Sequence, residues 1–594
     1  MKLIPFKDVE LKSGYLYKKQ DLNSKVTINS VYDRFYETGR IGAFDFNYKE
    51  GDALKPDIFW DSDVAKWMEG ACYILKKQPN ADLEAKVDAL VAKIKENQCA
   101  NGYFNIYYTV CEPEERFKHR ERHELYCAGH LMEAAVAYSE ATGKNDFLEC
   151  MERYADHIKK VFVDDKSSLF ISPGHEEIEL ALIRMYLHTK KKKFLDLATH
   201  FINVRGTEGD QMDDYDQSHL PVREQTEAKG HAVRAVYLYT GMALLSKEAG
   251  DAKLFDTCKA LWDNIVFKKM YVTGGLGSTH RGEAFTFAYD LPNDTAYNET
   301  CADIGLMFFA AAMLRLENDA KYADVIERVL YNGVLSGMSL DGRSFFYENP
   351  LEINTLEHIK FRYAKRRFPI TQRLECFECS CCPPNINRLL PSLGNYIYAT
   401  EDDMLFVNQY ISSDLSYEGI RASIVTEYPN NGNVVFTASG ISKIAFRIPS
   451  WCDSFTINKD YEMLNGYAIV ANDGSDITIE FAIAAKPVFA DPRVIRNAGR
   501  VCFMRGPIVY CAEAVDNPNG LHSYKVSPSA TVSERFDEVF GLMTLTLPAK
   551  RLIPFDGDLY SNKPPKEEEE TLKLIPFNCF ANRGESDMLV WLHY

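Results

Sequence analysis

The chain has 594 residues, 46% of them apolar and 26% charged, with a formal net charge of −17. That length exceeds what one core covers, since domains run to about 100–200 residues, and the balance is that of a globular protein without a disordered signature. The negative charge argues against nucleic acid or an anionic membrane as partner, and no segment approaches the roughly 18 apolar residues of a bilayer span.

Residues 1–20 lack the apolar stretch and cleavage site of a secretory signal, so the expected location is the cytoplasm. In a reducing compartment the fifteen cysteines are expected to be thiols, metal ligands or catalytic groups rather than disulfides. Leu3-Ile4-Pro5-Phe6 precedes any helical pattern and reads as an extended segment that adds to a later sheet. From residue 62 to 340 apolar residues recur with helical period, as in Leu83, Val87, Leu90-Val91 and Ile94 behind Asp82 as N-cap. Breaks at Gly102, Gly143, Gly206, Gly250 and Asn318 fall where helix pairs turn, and a last helix begins at Pro383-Pro384.

The first helices of successive pairs start near Asp61, His123, His175, His231, Glu299 and Cys382. Six hairpins closing on themselves make an (α/α)6 toroid, here over residues 7–400. His123, His175, His231 and Glu299 then occupy equivalent starts in four units and converge on one funnel. Each histidine taken singly reads as a cap or a satisfied polar residue; three in register with a glutamate read as a shared site. Beyond residue 400, Ile424–Thr426, Val434–Thr437, Lys443–Ile448 and Ile477–Phe481 are strands divided by Asn-Gly and Asp-Gly turns. They predict a first β-sandwich over 401–500, joined by residues 1–6, and a second over 501–594. Within the latter, Pro564-Pro565-Lys566 and Glu567–Glu570 read as a solvated loop.

The densest chemical signal is Cys376-Phe-Glu-Cys379-Ser-Cys381-Cys382-Pro383-Pro384-Asn385, with a second cluster at Asn298-Glu299-Thr300-Cys301. Thiolates and a carboxylate from two segments suit a four-ligand zinc site. A structural knuckle built on Cys379 and Cys382, with their two-residue spacer, stands as the alternative, and a site using Cys376 or Cys379 in place of Cys381 as a further one. A zinc-bound thiolate is also the reactive form of a nucleophile. The loop Gly274-Gly275-Leu-Gly277-Ser-Thr-His-Arg-Gly282-Glu283 supplies a carboxylic acid whose pKa, raised by burial, would suit acid/base work. Read blandly, the same loop is a phosphate cradle or a plain connector; that it follows no strand and lacks a Gly-Lys-Ser/Thr ending argues against phosphate.

These segments carry a resemblance. Phe59–Lys66 (FWDSDVAK), Arg122–Glu133 (RHELYCAGHLME), Gly174–Leu180 (GHEEIEL), Gly230–Gly241 (GHAVRAVYLYTG), Tyr271–Phe287 (YVTGGLGSTHRGEAFTF), ETCA at 299–302, CCPPN at 381–385 and ANRG at 581–584 together resemble glycoside hydrolase family 127, whose founding activity is β-L-arabinofuranosidase. The resemblance spans nearly the whole chain and implies an (α/α)6 barrel with two β-sandwich domains. It implies Cys381 as nucleophile, Glu283 as acid/base, Glu299, Cys301, Cys381 and Cys382 as zinc ligands, and His123, His175 and His231 as sugar contacts. It further implies retaining cleavage of a terminal rare sugar from a plant-derived oligosaccharide, and a homodimer. Departures are the acidic, cysteine-rich Leu374–Cys379, Gly14-Tyr15 near the N-terminus, and Asn472-Asp473-Gly474 in the first sandwich. Two other classes compete: a helical-toroid sugar epimerase with histidines as acid and base, and a non-catalytic carbohydrate-binding protein with a structural zinc.

Overall fold

The computed structural model describes residues 1–356 and 370–594. Six inner helices start where the polar landmarks place them: Trp60–Lys77, Glu124–Thr142, Ile178–Thr189, Ala232–Ala249, Thr300–Leu314 and Cys382–Leu389. Each packs on the next, and the sixth packs on the first, so the ring closes. Trp60–Lys77 and Thr300–Leu314 are buried on almost every face, as a helix enclosed by others must be. Outer helices such as Ala81–Asn97 and Asp146–Lys159 instead bury one stripe. Gly143 and Gly250 end two inner helices in the left-handed conformation, with φ of 76° and 66°, which leaves the chain free to reverse into the outer partner.

The cap of Ala81–Asn97 differs from expectation. Asn80 Oδ1, not Asp82, accepts from the Leu83 amide at 3.0 Å, and Asp82 sits inside the first turn, where its charge faces the positive end of the helix.

After the toroid come two six-stranded sheets. One runs Lys2–Leu3, Tyr398–Glu401, Met404–Val407, Lys443–Arg447, Tyr467–Ala471, Tyr461–Leu464; the N-terminal strand is antiparallel to its neighbour, with Leu3 opposite Ala399. The other ends in Val9–Leu11, paired with Ser413–Tyr417, so the chain supplies an edge to both sheets before entering the helices. The last region is a ten-stranded sheet whose path closes through Met504 opposite Val509. Glu567–Glu570 is not a loop but the start of the strand Glu567–Pro576, paired with Leu542–Leu552. Cross-strand ion pairs from Lys550 to Glu567 (2.9 Å) on one face and Arg551 to Glu568 (2.8 Å) on the other explain why a charge run tolerates an extended backbone here. Among the described residues no helix is long and apolar enough to cross a membrane.

Candidate active site

The parallel inner helices bring their N-terminal ends together. His123, His175 and His231 stand in sequence around the opening, with ring centroids 5.3 Å apart for the first pair and 5.5 Å for the second. Tyr126, one turn after His123, packs against His175 with ring centroids 4.1 Å apart and planes tilted by 45°. Burial holds all three imidazoles below their usual range, His123 at about 3, so they enter the site neutral. His231 caps its helix: its Nδ1 accepts from the amides of Val233 (3.2 Å) and Arg234 (3.4 Å). That leaves the proton on Nε2, which donates to Glu283 Oε2 at 3.1 Å.

Glu283 lies on a loop stapled at both ends. Ala284 bridges to Thr279 and to His231, and the Phe285 amide donates to Gly230 O at 2.9 Å. The glycine-rich start of the loop serves close approach: a Cβ on Gly275 would lie 2.6 Å from Cγ of Asn298, the residue before Glu299. The loop is thus a fitted wall of the site rather than a connector. His123, Glu283 and Asn298 all have positive φ (58°, 53° and 41°), uncommon for residues other than glycine, and the three lie together at this end. The expected rise in the Glu283 pKa is not what the arrangement gives. Burial pushes it up, but the hydrogen bond donated by His231 outweighs burial and holds the carboxyl below its ordinary value. Burial and the neighbouring charge of Glu283 instead push Glu299 well above.

Next to this pair, single ligand atoms of Glu299, Cys301, Cys381 and Cys382 lie within 4.8 Å of one another. The Sγ of Cys301 is 3.3 Å from that of Cys382 and 3.5 Å from that of Cys381; Cys381 and Cys382 are 3.8 Å apart, and Glu299 Oε1 is 3.7 Å from Cys381 and 3.9 Å from Cys382. A tetrahedral zinc with bonds of about 2.3 Å to sulfur has S···S edges of about 3.8 Å, so the four side chains fit that ion. Glu299 Oε2 is buried without a hydrogen-bond partner. Adjacent cysteines reach one point because Cys381 is the N-cap and Cys382 the first residue of the sixth inner helix. Cys376 turns to Phe377 O and Ser380 Oγ instead. Cys379 interacts with Cys381 without joining the four-atom cluster. Hydrogen bonds from Cys301, Cys379 and Cys382 hold the Cys381 thiol well below its ordinary pKa, whereas burial pushes Cys301 and Cys382 up.

Several side chains here escape a reading of the sequence. Tyr347 Oη lies within hydrogen-bonding distance of Cys381 Sγ, at 3.3 Å. Lys66, fully buried, donates to Tyr126 Oη at 2.5 Å beneath the thiols. Asp63, held by Arg40 Nε at 2.9 Å, accepts from the Ser380 amide and fixes the approach to Cys381. Arg234 donates to Gly174 O and lies 4.4 Å over the ring of Tyr215. The i+3 spacing of Tyr126 from His123 and the place of Asp63, Lys66 and Arg234 within the quoted motifs were the signals available; their contacts join distant segments.

A family model for the β-L-arabinofuranosidase GH127 catalytic domain matches residues 8–395, and one for the glycoside hydrolase family 127 C-terminal domain matches 485–593. The chain belongs to glycoside hydrolase family 127. It is therefore a glycoside hydrolase, with the helical ring and following sheets of that family. It is 37% identical over 589 residues, 90% of this chain and 89% of the relative, to the non-reducing end β-L-arabinofuranosidase of Bifidobacterium longum subsp. longum. The crystal structure of a GH127 β-L-arabinofuranosidase from Geobacillus stearothermophilus T6 superposes with a TM-score of 0.93 at 39% identity, covering 98% of this chain and 99% of that one. A GH127 β-arabinofuranosidase structure gives 0.91 at 35%, covering 100% and 97%.

Proposed function

We propose that the chain is a retaining exo-glycosidase that releases terminal β-L-arabinofuranosyl units, or a related rare sugar, from plant-derived oligosaccharides. Cys381 is its nucleophile and Glu283 its acid/base. The observation that carries this reading is the position of the Cys381 sulfur: it is the one thiol of the cluster held toward the thiolate, and like Glu283 it adjoins Glu299 at the foot of the histidine funnel. Zinc fits Glu299, Cys301, Cys381 and Cys382, and when bound it supplies the positive charge that keeps these thiols ionised and makes a thiolate a better leaving group.

The residues divide the remaining work. His123 and His175, both packed on Tyr126, and His231 are neutral and present donors and acceptors to sugar hydroxyls. In the first displacement a bond forms between the anomeric carbon and Cys381 Sγ as the glycosidic C–O bond breaks, and Glu283 gives its proton to the departing oxygen. In the second, Glu283 takes a proton from water as the water oxygen bonds the anomeric carbon and the sulfur leaves as thiolate. Two inversions retain configuration. The His231 hydrogen bond favours the ionised Glu283 that the second step needs. A sugar hydroxyl that takes over this bond leaves burial as the dominant influence, returning Glu283 toward the acid that the first step needs. The test is hydrolysis of p-nitrophenyl β-L-arabinofuranoside with and without reductant, with NMR spectra of the first-formed sugar. Release with the starting anomeric configuration supports the assignment; an inverted first product removes Cys381 as nucleophile.

A further inference from the structure

At the end of the ring away from the funnel lies a separate cavity of about 320 Å³, reached by all six inner-helix chains and covered on one side by the Leu3–Phe6 segment. Its charged lining divides into two parts. Arg184 and Arg388 bridge Glu69 and Glu133 through four hydrogen bonds of 2.5, 2.9, 2.9 and 2.6 Å, so four charges cancel within the wall. Arg315 stands outside this network. Among the described residues its guanidinium donates no hydrogen bond and has no carboxylate within ion-pair distance; Glu248 acts on it only from farther away. Arg315 is partly exposed to the cavity, and partial burial lowers its pKa. Lys247 Nζ, 2.6 Å from Arg315 O, adds a second positive charge nearby. Tyr396 lines the same space, is 6% exposed, and among the described residues its hydroxyl has no hydrogen-bond partner. Glu140, also in the lining, is a largely solvated carboxylate at the rim beside His188.

An unmatched guanidinium and phenol in a cavity otherwise walled by Phe6, Leu180, Leu244 and Phe308 specify a ligand with two halves. One half is a carboxylate, which a guanidinium binds with charge-assisted hydrogen bonds; the other is a compact apolar body that displaces water from the walls. We propose that this cavity is a second ligand site, for a small aromatic or similarly compact carboxylic acid held by Arg315 and Tyr396. Such a ligand differs in charge and shape from a neutral furanoside, which separates the site from the sugar funnel.

Benzoate, benzyl alcohol and inorganic phosphate separate the contributions. Benzoate is expected to raise Tm saturably by about 1–2 °C; benzyl alcohol lacks the charge and phosphate lacks the body, and neither is expected to match it. Arg315→Gln should weaken the benzoate response about tenfold or more, a missing charge-assisted pair. An equal response to benzyl alcohol or phosphate, or an undiminished response in a folded Arg315→Gln protein, overturns the proposal. Independently of any variant, crystals of the unaltered protein soaked with 4-iodobenzoate should show anomalous iodine density in this cavity with the carboxylate on Arg315. Iodine found only in the funnel, or nowhere, also overturns it.

Discussion

The two ends of the helical ring are built from the same six helices and treat their polar groups in opposite ways. At the N-terminal end the histidines are neutral, Glu299 keeps an unbonded oxygen and three thiols crowd within 3.3–3.8 Å. Toward the other end, Arg388 and Arg184 saturate Glu69 and Glu133, and Arg388 also reaches Tyr237 Oη at 3.1 Å and Asn385 Oδ1 at 2.6 Å. Buried charges that satisfy one another act as scaffold, and removing one strands its partner. Groups left short of partners are prepared for something that arrives. Position along the helix axis therefore predicts whether a substitution is felt in activity or in stability.

The sharpest challenge to that division is Cys381→Ser. Loss of the ready anion should lower turnover by more than about 10⁴-fold while the folded protein keeps nearly its full stability; an active, metal-replete Cys381→Ser enzyme would remove the cysteine mechanism and leave the glycosidase standing. Glu283→Gln should lose about 10²–10⁴-fold on natural substrates. With an activated nitrophenyl glycoside it should accumulate a glycosyl-enzyme, and mass spectrometry should map the added mass to the peptide containing Cys381. At the scaffold end the pattern reverses: Glu133→Gln should cost about 3–5 kcal/mol in urea unfolding, with activity per folded molecule largely kept. A Glu133→Gln protein of unchanged stability would show that the Arg388–Arg184 bridge is not what holds the ring.

The smallest effect concerns protons. His175 is buried and its folded pKa lies well below 6.5. The unfolded chain therefore binds this proton more readily, and the stability the neutral ring contributes is present above pH 6.5 and lost as pH falls below it. His175→Asn abolishes this dependence, so its stability relative to the parent should rise as pH is lowered from 6.5, by up to about 1.4 kcal/mol per pH unit. The difference between variants is the quantity to measure, because burial raises Asp61, Glu124 and Glu176 to about 7 and their linkage runs the opposite way in the parent protein.

What the sequence made legible was local. Helix starts at His123, His231, Glu299 and Cys382 could be read because a cap and a period lie within a few neighbouring residues, and the shared funnel followed from their register. Charge runs and proton affinities were less legible. Glu567–Glu570 looked like a loop until Lys550 and Arg551 were found opposite, and Glu283 looked like a raised carboxyl until His231 Nε2 was found 3.1 Å away. Val9–Leu11 showed no strand pattern because three residues are too few to carry a period; its partner Ser413–Tyr417 defines it. Tyr347, Lys66, Asp63 and Arg315 matter through what faces them across the ring, and spacing along the chain does not encode that.

The four-atom cluster lies across one junction of the ring, since Glu299 and Cys301 open the fifth inner helix while Cys381 and Cys382 open the sixth, eighty residues later. The sixth helix is only eight residues long, yet it must meet both the fifth and the first for the circle to be complete. The cluster is thus a clasp: its halves stay apart until the last hairpin docks. A nascent chain holds no assembled reactive centre while its ring is open, so the ability to attack a sugar and the completion of the tertiary circle arise in one event.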